Sequence, residues 1–194
     1  MNPSLPTMGV PITVEPAGDE LTIGVAVEIP QPWAQQLQDA RERFGDPLAR
    51  AIPAHVTLVP PTAVERPRLG DVVDHLQDVA RSIARFELVL AGTDTFRPVS
   101  PVVFVRVQEG GGACDHLQRS VRTGPLDREL TFPFHPHVTV AHHLDDDALD
   151  RAGKELADFA AAFDVTGFVL YEHGTDGVWR PRRRFRFGSS STGS

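Results

Sequence analysis

The feature that most constrains the fold of this chain is a tetrapeptide that occurs twice, as His-Val-Thr-Leu at 55–58 and as His-Val-Thr-Val at 137–140. The two copies stand about 80 residues apart and share their first three residues. Each follows an apolar segment at a similar distance, because 32 residues separate Ile23 from the first copy and 34 separate Val103 from the second. A repeat of this size indicates an internal duplication, so we predict one domain built of two related lobes.

Segments of period 2 alternate with segments of period 3.6 in both halves of the chain, which predicts strands alternating with amphipathic helices. Residues 92–101 are rich in turn formers, and the three glycines at 110–112 predict a flexible loop. Strands are predicted at residues 21–29, 54–59, 86–90, 102–107, 137–140, 165–171 and 178–187. Helices are predicted at residues 33–44, 72–83, 117–121 and 149–163.

Composition excludes several classes of protein. With glycine included, about half of the 194 residues are apolar, which is the ordinary globular value and excludes a disordered or fibrous chain. The single cysteine cannot form an internal disulfide, and the net charge of −7 argues against coating of long nucleic acid by bulk electrostatics. No run of 18 apolar residues and no signal-peptide pattern occurs, so we expect a cytoplasmic protein. We predict a flexible arm at 1–19, a domain at 20–187 and a Gly/Ser tail at 188–194.

The repeated tetrapeptide carries the functional prediction. Residues i and i+2 of a strand share a face, so His55 points with Thr57 and His137 points with Thr139. If the lobes are related by an approximate two-fold axis, the two pairs face each other across a cleft. In-line displacement at phosphorus needs a base on one side and an acid on the other, and imidazole serves as either near neutral pH. The hydroxyls can donate to the non-bridging oxygens, and this chemistry requires no metal and no cofactor.

The paired tetrapeptides resemble the signature of the 2H phosphoesterases, and the subgroup they are most similar to is the 2'-5' RNA ligase or LigT-like proteins. The resemblance extends from about Leu21 to Phe187. It implies an α+β fold with two pseudo-symmetric lobes of antiparallel sheet, helices packed outside and a central cleft. It also implies metal-independent catalysis on a 2',3'-cyclic phosphate or a 2'-5' linkage.

Matching the motifs position by position implies that His55 and His137 are catalytic and that Thr57 and Thr139 bind phosphate. By analogy, His137 is the base that activates water and His55 is the acid that protonates the leaving oxygen. The chain departs from the family at one point, because RNA-directed members often carry Arg two residues after the second tetrapeptide. This chain has Ala-His at 141–142, which puts polynucleotide substrates and ligase activity in doubt.

Two further sets of residues are candidates for substrate contact. Arg182 and Arg184 belong to five arginines within residues 180–186, and alternate members on one strand face could bind phosphate. The alternative is a solvated edge strand that charge and proline protect from pairing. Phe132 and Phe134 precede the second tetrapeptide and could stack on a base, with burial in the core as the alternative.

A metal site is the remaining alternative near the second tetrapeptide. His135, His142 and His143 lie close in sequence to three aspartates at 145–147, and such residues combine in zinc and iron sites. The competing interpretation is that the aspartates cap a helix and the histidines are solvated.

Together with the resemblance, these residues predict an enzyme, a cyclic phosphodiesterase that hydrolyses the 2',3'-cyclic phosphate of nucleotides or RNA ends to a 2'-phosphomonoester. The expected partner is a nucleotide or RNA-terminus substrate, with no membrane and no obligate protein partner. One alternative is a phosphodiesterase acting on 2'-5'-linked or other cyclic nucleotides. The other is an RNA-end-binding or 2'-5' ligase-like protein with little hydrolysis.

Overall fold

The structure is a computed structural model that describes residues 18–130 and 132–188. The predicted arm at 1–19 and tail at 188–194 therefore lie almost entirely outside the described residues. The strands are β1 Glu20–Glu28, β2 His55–Glu65, β3 Phe86–Thr95, β4 Val102–Glu109, β5 His137–His142, β6 Ala160–Val165, β7 Gly167–His173 and β8 Trp179–Arg186. The helices are α1 Trp33–Phe44, α2 Leu69–Ser82, α3 Gly111–Val121 and α4 Asp146–Glu155, with short 3-10 turns at Arg66–Arg68 and Gly124–Leu126.

Two four-stranded antiparallel sheets form the fold, in the orders β2-β1-β7-β8 and β5-β4-β3-β6. The strands that begin with the repeated tetrapeptides, β2 and β5, occupy equivalent edge positions and lie against each other at the centre of the molecule. Helix α1 packs against β5 and α3 packs against β2, so each helix bridges toward the other sheet. The predicted α+β fold with two pseudo-symmetric lobes is confirmed.

The two halves of the chain exchange strands. The first half supplies β3 to the sheet that contains β4 and β5, whereas β7 and β8 from the end of the chain complete the sheet of β1 and β2. The duplication visible in sequence is therefore a repeat of strand, helix, strand and helix. The strand that follows the first repeat, β3, joins the opposite sheet, whereas β6, which follows the second repeat, stays in the sheet of β4 and β5 and pairs with β3.

The main core lies between the helices and the outer faces of both sheets, and a small second cluster joins Ala26, Val169 and Tyr171. Alternating positions of β1 and amphipathic positions of the helices supply it, as the periods of 2 and 3.6 predict. Leu37 of α1, Leu76 of α2, Leu117 of α3 and Leu149 of α4 are each fully buried. The opposite, concave faces of the sheets are thereby left to form the cleft.

The helix predicted at 149–163 is wrong in its second half. Helix α4 ends at Glu155, a turn closes when Phe159 N–H donates to the Leu156 carbonyl, and β6 follows. In β6, Ala161, Phe163 and Val165 are buried and alternate with exposed residues. The apolar residues at 159 and 163 fit a helical stripe as well as a strand, which is why the period alone did not separate the two.

Three predicted boundaries are also wrong. Strand β2 continues through Pro60 and Pro61 to Glu65, because a strand at a sheet edge tolerates proline where no ladder hydrogen bond is needed. Strand β3 extends to Thr95 across a bulge, into a stretch predicted as turns. Helix α3 begins at Gly111, within the predicted glycine loop, and Gly110 precedes it with a left-handed φ of 84°. Across the described part of the chain, no helix is both long and apolar enough to cross a membrane.

Candidate active site

His55 and His137 are the first residues of β2 and β5, so the contact between these strands brings the two imidazoles into one cleft. Both side chains are half-buried, and Val56 and Val138 behind them are completely buried. Alternation along the strand thus directs each imidazole into the cleft while its neighbour anchors the strand in the core.

The same backbone contact orients both imidazoles. Nδ1 of His55 lies 2.8 Å from the carbonyl oxygen of Pro53, and Nδ1 of His137 lies 2.7 Å from that of His135. A carbonyl only accepts, so Nδ1 carries the proton and donates in both residues. Nε2, on the far side of each ring, is therefore the nitrogen available for acid–base chemistry.

Burial lowers the pKa of both histidines. The pKa of His55 falls to about 4, mainly through desolvation, which outweighs the raising effect of the hydrogen bond to Pro53. The positive charges of Arg41 and of protonated His137 lower it by smaller amounts. The pKa of His137 also falls below its ordinary value through desolvation and the nearby His135. Each ring is consequently neutral at pH 7 in the free protein. Protonation of His137 would lower the pKa of His55 further, so the two rings are near enough to interact electrostatically.

The two threonines lie beside their histidines as predicted from the strand period. Oγ1 of Thr57 is 3.0 Å from Nε2 of His55 and donates to it when the ring is the Nδ1-protonated tautomer. Thr139 is half-buried on the same face as His137. Nε2 of His137 has no hydrogen-bond partner within residues 18–130 and 132–188.

A buried ion pair supports the loop that leads into His55, and the sequence did not reveal it. Arg41 Nε donates to Asp46 Oδ2 at 3.0 Å, and both side chains are almost fully buried. Arg41 Nη1 also donates to the carbonyl of Ile52 at 2.9 Å, and Asp46 accepts from the N–H of Leu48. Arg41 is on the buried side of α1, next to Ala40. That position in the helical period is the one sequence signal that could have distinguished this buried arginine from the solvated arginine of the same helix.

Two phenylalanines surround His137. The ring of Phe96 meets it edge-on with centroids 4.9 Å apart, and the ring of Phe104 lies 5.1 Å away. Phe96 and Phe104 also contact each other, with centroids 4.3 Å apart. These rings exclude water from one side of His137, which accounts for part of its desolvation. Phe96 belongs to the stretch predicted as turns, so its role was not visible from the sequence.

The residues beside the two histidines on the floor of the cleft differ in charge. Glu28 of β1 is directly opposite His55, whereas Arg106 of β4 is directly opposite His137. Oε1 of Glu28 accepts a hydrogen bond from the hydroxyl of Tyr171 at 2.9 Å and from Nη2 of Arg184 at 2.8 Å. Burial and the bond to Glu28 raise the pKa of Tyr171, so its hydroxyl stays protonated.

The two arginines predicted to bind phosphate, Arg182 and Arg184, lie in different surroundings. Strand β8 is the edge of its sheet, as the alternative interpretation of the arginine cluster predicts. Arg184 reaches from this edge across β7 to Glu28, and so lies on the cleft side. Arg182 instead forms an ion pair with Glu172 on the adjacent strand.

The two phenylalanines predicted to stack on a base also differ in their burial. Phe132 is exposed before β5, whereas Phe134 packs against the core. Base stacking by Phe132 stays a prediction, and the structure favours the core alternative for Phe134.

The aspartates near the second tetrapeptide act at a helix terminus. Asp145 is the N-cap of α4, where its Oδ1 accepts from the N–H of Ala148 at 2.8 Å. Asp146 and Asp150 pair with Arg97. Among the described residues, no group of three or more His, Cys, Asp or Glu side chains is placed to hold a metal ion.

A cavity of about 530 Å³ adjoins the His55 side of the cleft. Pro53 and Ala54, immediately before His55, form part of its wall together with Glu28, Arg184 and Arg186. The arrangement therefore offers two imidazoles, two hydroxyls and a cavity with an apolar and charged lining that is large enough for a small organic ligand.

The chain is similar to known proteins over most of its length. A family model described as the 2'-5' RNA ligase superfamily matches residues 29–177, which include both tetrapeptides. BH1439 of Halalkalibacterium halodurans, which carries a provisional phosphoesterase name, is 33% identical over 170 residues, covering 87% of this chain and 98% of that protein.

Solved structures share the fold. LigT of Escherichia coli in its apo form aligns with a TM-score of 0.61 at 18% identity, over 88% of this chain and 99% of LigT. TT0787 of Thermus thermophilus aligns with a TM-score of 0.61 at 22% identity, over 88% of this chain and all of that one. With the extent of the family match and the identity to BH1439, these findings place the chain in the 2'-5' RNA ligase superfamily, as a LigT-like member of the 2H phosphoesterases.

Proposed function

We propose that this protein is a phosphodiesterase that opens a 2',3'-cyclic phosphate, on a nucleotide or an RNA end, to a 2'-phosphomonoester. The observation that carries the proposal is the pair of imidazoles in one cleft, each with Nδ1 bound to a carbonyl two residues upstream and Nε2 on its far side. Membership in the superfamily and the phosphoesterase name of a relative support the reaction class.

The reaction follows from these two nitrogens. Nε2 of one neutral histidine takes a proton from water as the water oxygen forms a bond to phosphorus. The bond from phosphorus to the 3' oxygen breaks on the opposite side, and Nε2–H of the other, protonated histidine donates its proton to that oxygen. The product is a 2'-phosphomonoester with a 3' hydroxyl, and the proton has moved from one histidine to the other. The hydroxyls of Thr57 and Thr139 donate to the non-bridging oxygens, where negative charge accumulates.

The low pKa of His55 supports a direction opposite to the one that the family resemblance implies. His55, with a pKa near 4, is the ring that stays neutral and is suited to act as the base. Its Nε2 is already engaged by Thr57, whose hydroxyl turns to the phosphate as the nucleophilic water takes its place. His137 is then the acid, and the anionic substrate raises its pKa on binding. We therefore propose His55 as base and His137 as acid.

The cavity beside His55 supports a nucleotide as the substrate. It is bounded by Glu28, Arg184 and Arg186, which supply hydrogen-bond donors and acceptors for a ribose or base. Structures of LigT, which has the same fold, include complexes with 3'-AMP, ATP and NADP+. We propose that the nucleoside part of the substrate enters this cavity while the phosphate lies between the histidines.

Hydrolysis of 2',3'-cyclic AMP and of an RNA ending in a cyclic phosphate, with EDTA present throughout, tests the function. We expect 2'-AMP, and RNA with a terminal 2'-phosphate, identified by chromatography against 2' and 3' standards. Because no step requires a metal, EDTA leaves the rate unchanged. Loss of activity in EDTA, or a 3'-phosphate product, contradicts the proposal.

The name of the matching family favours one second candidate, a reaction on 2'-5' phosphodiester bonds. The same two nitrogens can cleave such a bond, because the leaving oxygen again lies opposite the nucleophile. A 2'-5'-linked dinucleotide in the same assay separates the candidates. Turnover of the dinucleotide without turnover of the cyclic phosphate selects the second one.

A further inference from the structure

Arg106 stands beside His137 on the floor of the cleft. It lies on β4 directly opposite His137 on β5, and residues opposite each other in an antiparallel pair share one face of the sheet. The next pair on this face joins Phe104 to Thr139. Arg106 is therefore a direct cross-strand neighbour of the first residue of the second tetrapeptide.

The charge of Arg106 is uncompensated, unlike that of three of the arginines on β8. Arg180, Arg182 and Arg184 form ion pairs with Asp176, Glu172 and Glu28. The side chain of Arg106 is exposed, and no carboxylate of the described residues lies within ion-pair distance of its guanidinium. An exposed, unpaired cation on the face that carries a proposed catalytic residue is available to an anionic ligand.

Neither tetrapeptide supplies a cation for the substrate phosphate in the free protein. A phosphodiester carries a negative charge that spreads over its non-bridging oxygens during in-line displacement. The hydroxyls of Thr57 and Thr139 are neutral, both histidines are neutral in the free protein, and Glu28 adds negative charge beside His55. A guanidinium binds two oxygens of one phosphate at once, which matches this requirement.

The side chain of Arg106 lies along the sheet face. Its Nη2 is 2.7 Å from the point where a Cβ of residue 92 would lie, and Gly92, with a φ of +65°, leaves that space open. Strands β3 and β5 flank β4 at about 5 Å on either side, so rotation about the side-chain bonds carries the guanidinium from Gly92 to the ring of His137. We infer that Arg106 binds the non-bridging oxygens of the phosphate held between the two histidines, an assignment that rests on the proposed phosphodiesterase function.

Kinetics on a substrate with a single phosphate test this assignment. On 2',3'-cyclic AMP, we expect Arg106→Gln to lower kcat/KM by about 10- to 100-fold, the range for losing charge-assisted hydrogen bonds. Arg106→Lys keeps the charge but loses the two-point contact, so its kcat/KM lies between the two. The matched control is Arg119→Gln, since Arg119 pairs with Asp115 on the outer helix α3 and its removal leaves kcat/KM unchanged. Thermal melting confirms that the Arg106 variants are folded.

Three outcomes overturn the assignment or separate it from the proposed function. If Arg106→Gln stays within threefold of the wild type on 2',3'-cyclic AMP, the assignment is overturned and the function stands. If the loss appears only with RNA substrates, Arg106 contacts a second phosphate, which also overturns it. If the wild type hydrolyses neither substrate, the proposed function fails, and calorimetric binding of inorganic phosphate decides the assignment alone. A tenfold weaker affinity in Arg106→Gln supports it, and an equal affinity overturns it.

Discussion

The two halves of the cleft hold the same histidine in the same way but surround it differently. In both lobes, Nδ1 of the histidine donates to a carbonyl two residues upstream. His55 then has Thr57 on its Nε2, a buried ion pair beneath its loop and Glu28 opposite, whereas His137 has two phenylalanine rings and an arginine opposite. The shared backbone contact sets the orientation of both rings, and the unshared neighbours set their pKa and the local charge. A duplicated motif thereby supplies two imidazoles with different acid–base properties, which in-line displacement requires.

Removing either imidazole eliminates the feature that the two halves share, and we expect it to have the largest effect on activity. Because both proton transfers occur in the same displacement, His55→Ala and His137→Ala each lower kcat for 2',3'-cyclic AMP by about 10³-fold or more. Single-turnover assays with excess enzyme measure the residual rate, and circular dichroism verifies the fold. More than a tenth of the wild-type activity in either variant contradicts a requirement for both groups.

A substrate with an activated leaving group sharpens the comparison by separating acid from base. A p-nitrophenyl phosphodiester releases an oxygen that needs no protonation, so loss of the acid costs little. We expect His137→Ala to stay within about 10-fold of wild type on this substrate, while His55→Ala falls by about 100-fold. The reverse pattern restores the direction that the family resemblance implies, with His137 as base.

The buried ion pair of Arg41 and Asp46 lies beneath His55, and the described residues around His137 contain no similarly buried pair. Breaking this pair tests how far the stability of the first lobe depends on it. Arg41→Met keeps the apolar stem but leaves the buried Asp46 without its partner, so the free energy of unfolding falls by about 3 kcal/mol. The matched control is Arg43→Met on the same helix, whose exposed pair with Glu155 contributes under about 1 kcal/mol. Chemical denaturation at pH 7 measures both. Equal stability of the two variants contradicts a supporting role for Arg41.

The low pKa of His55 predicts the smallest effect, a pH dependence of stability. Below about pH 6.5 the unfolded chain protonates His55, while the folded protein does not until about pH 4. The folded state therefore loses stability as pH falls through this window, by at most about 3 kcal/mol for this residue. His55→Gln removes that part of the loss, so the wild-type and variant stabilities diverge between pH 6.5 and pH 4. Parallel curves across this range contradict the lowered pKa.

Local patterns in the sequence predicted the parts of the site that depend on strand periodicity. His55 and Thr57 share a face because they are two residues apart, and no tertiary information is needed for that inference. Glu28 and Arg106 could not be found in this way, because bulges and turns that the strand period does not predict decide the register between paired strands. The helix predicted through Phe163 failed for a related reason, since residues that bury one face of β6 also fit a helical stripe.

The distribution of strands between the sheets has a consequence for how the site is maintained. The strand that follows the first repeat is hydrogen-bonded to β4 and β6, whereas β7 pairs with β1 and β8 pairs with β7. A chain cut between β3 and β4 would yield two fragments, each with a proposed catalytic histidine and neither with a complete sheet. We therefore expect folding to be all-or-none, so that a destabilising change in either lobe inactivates both histidines together and no half-active species accumulates.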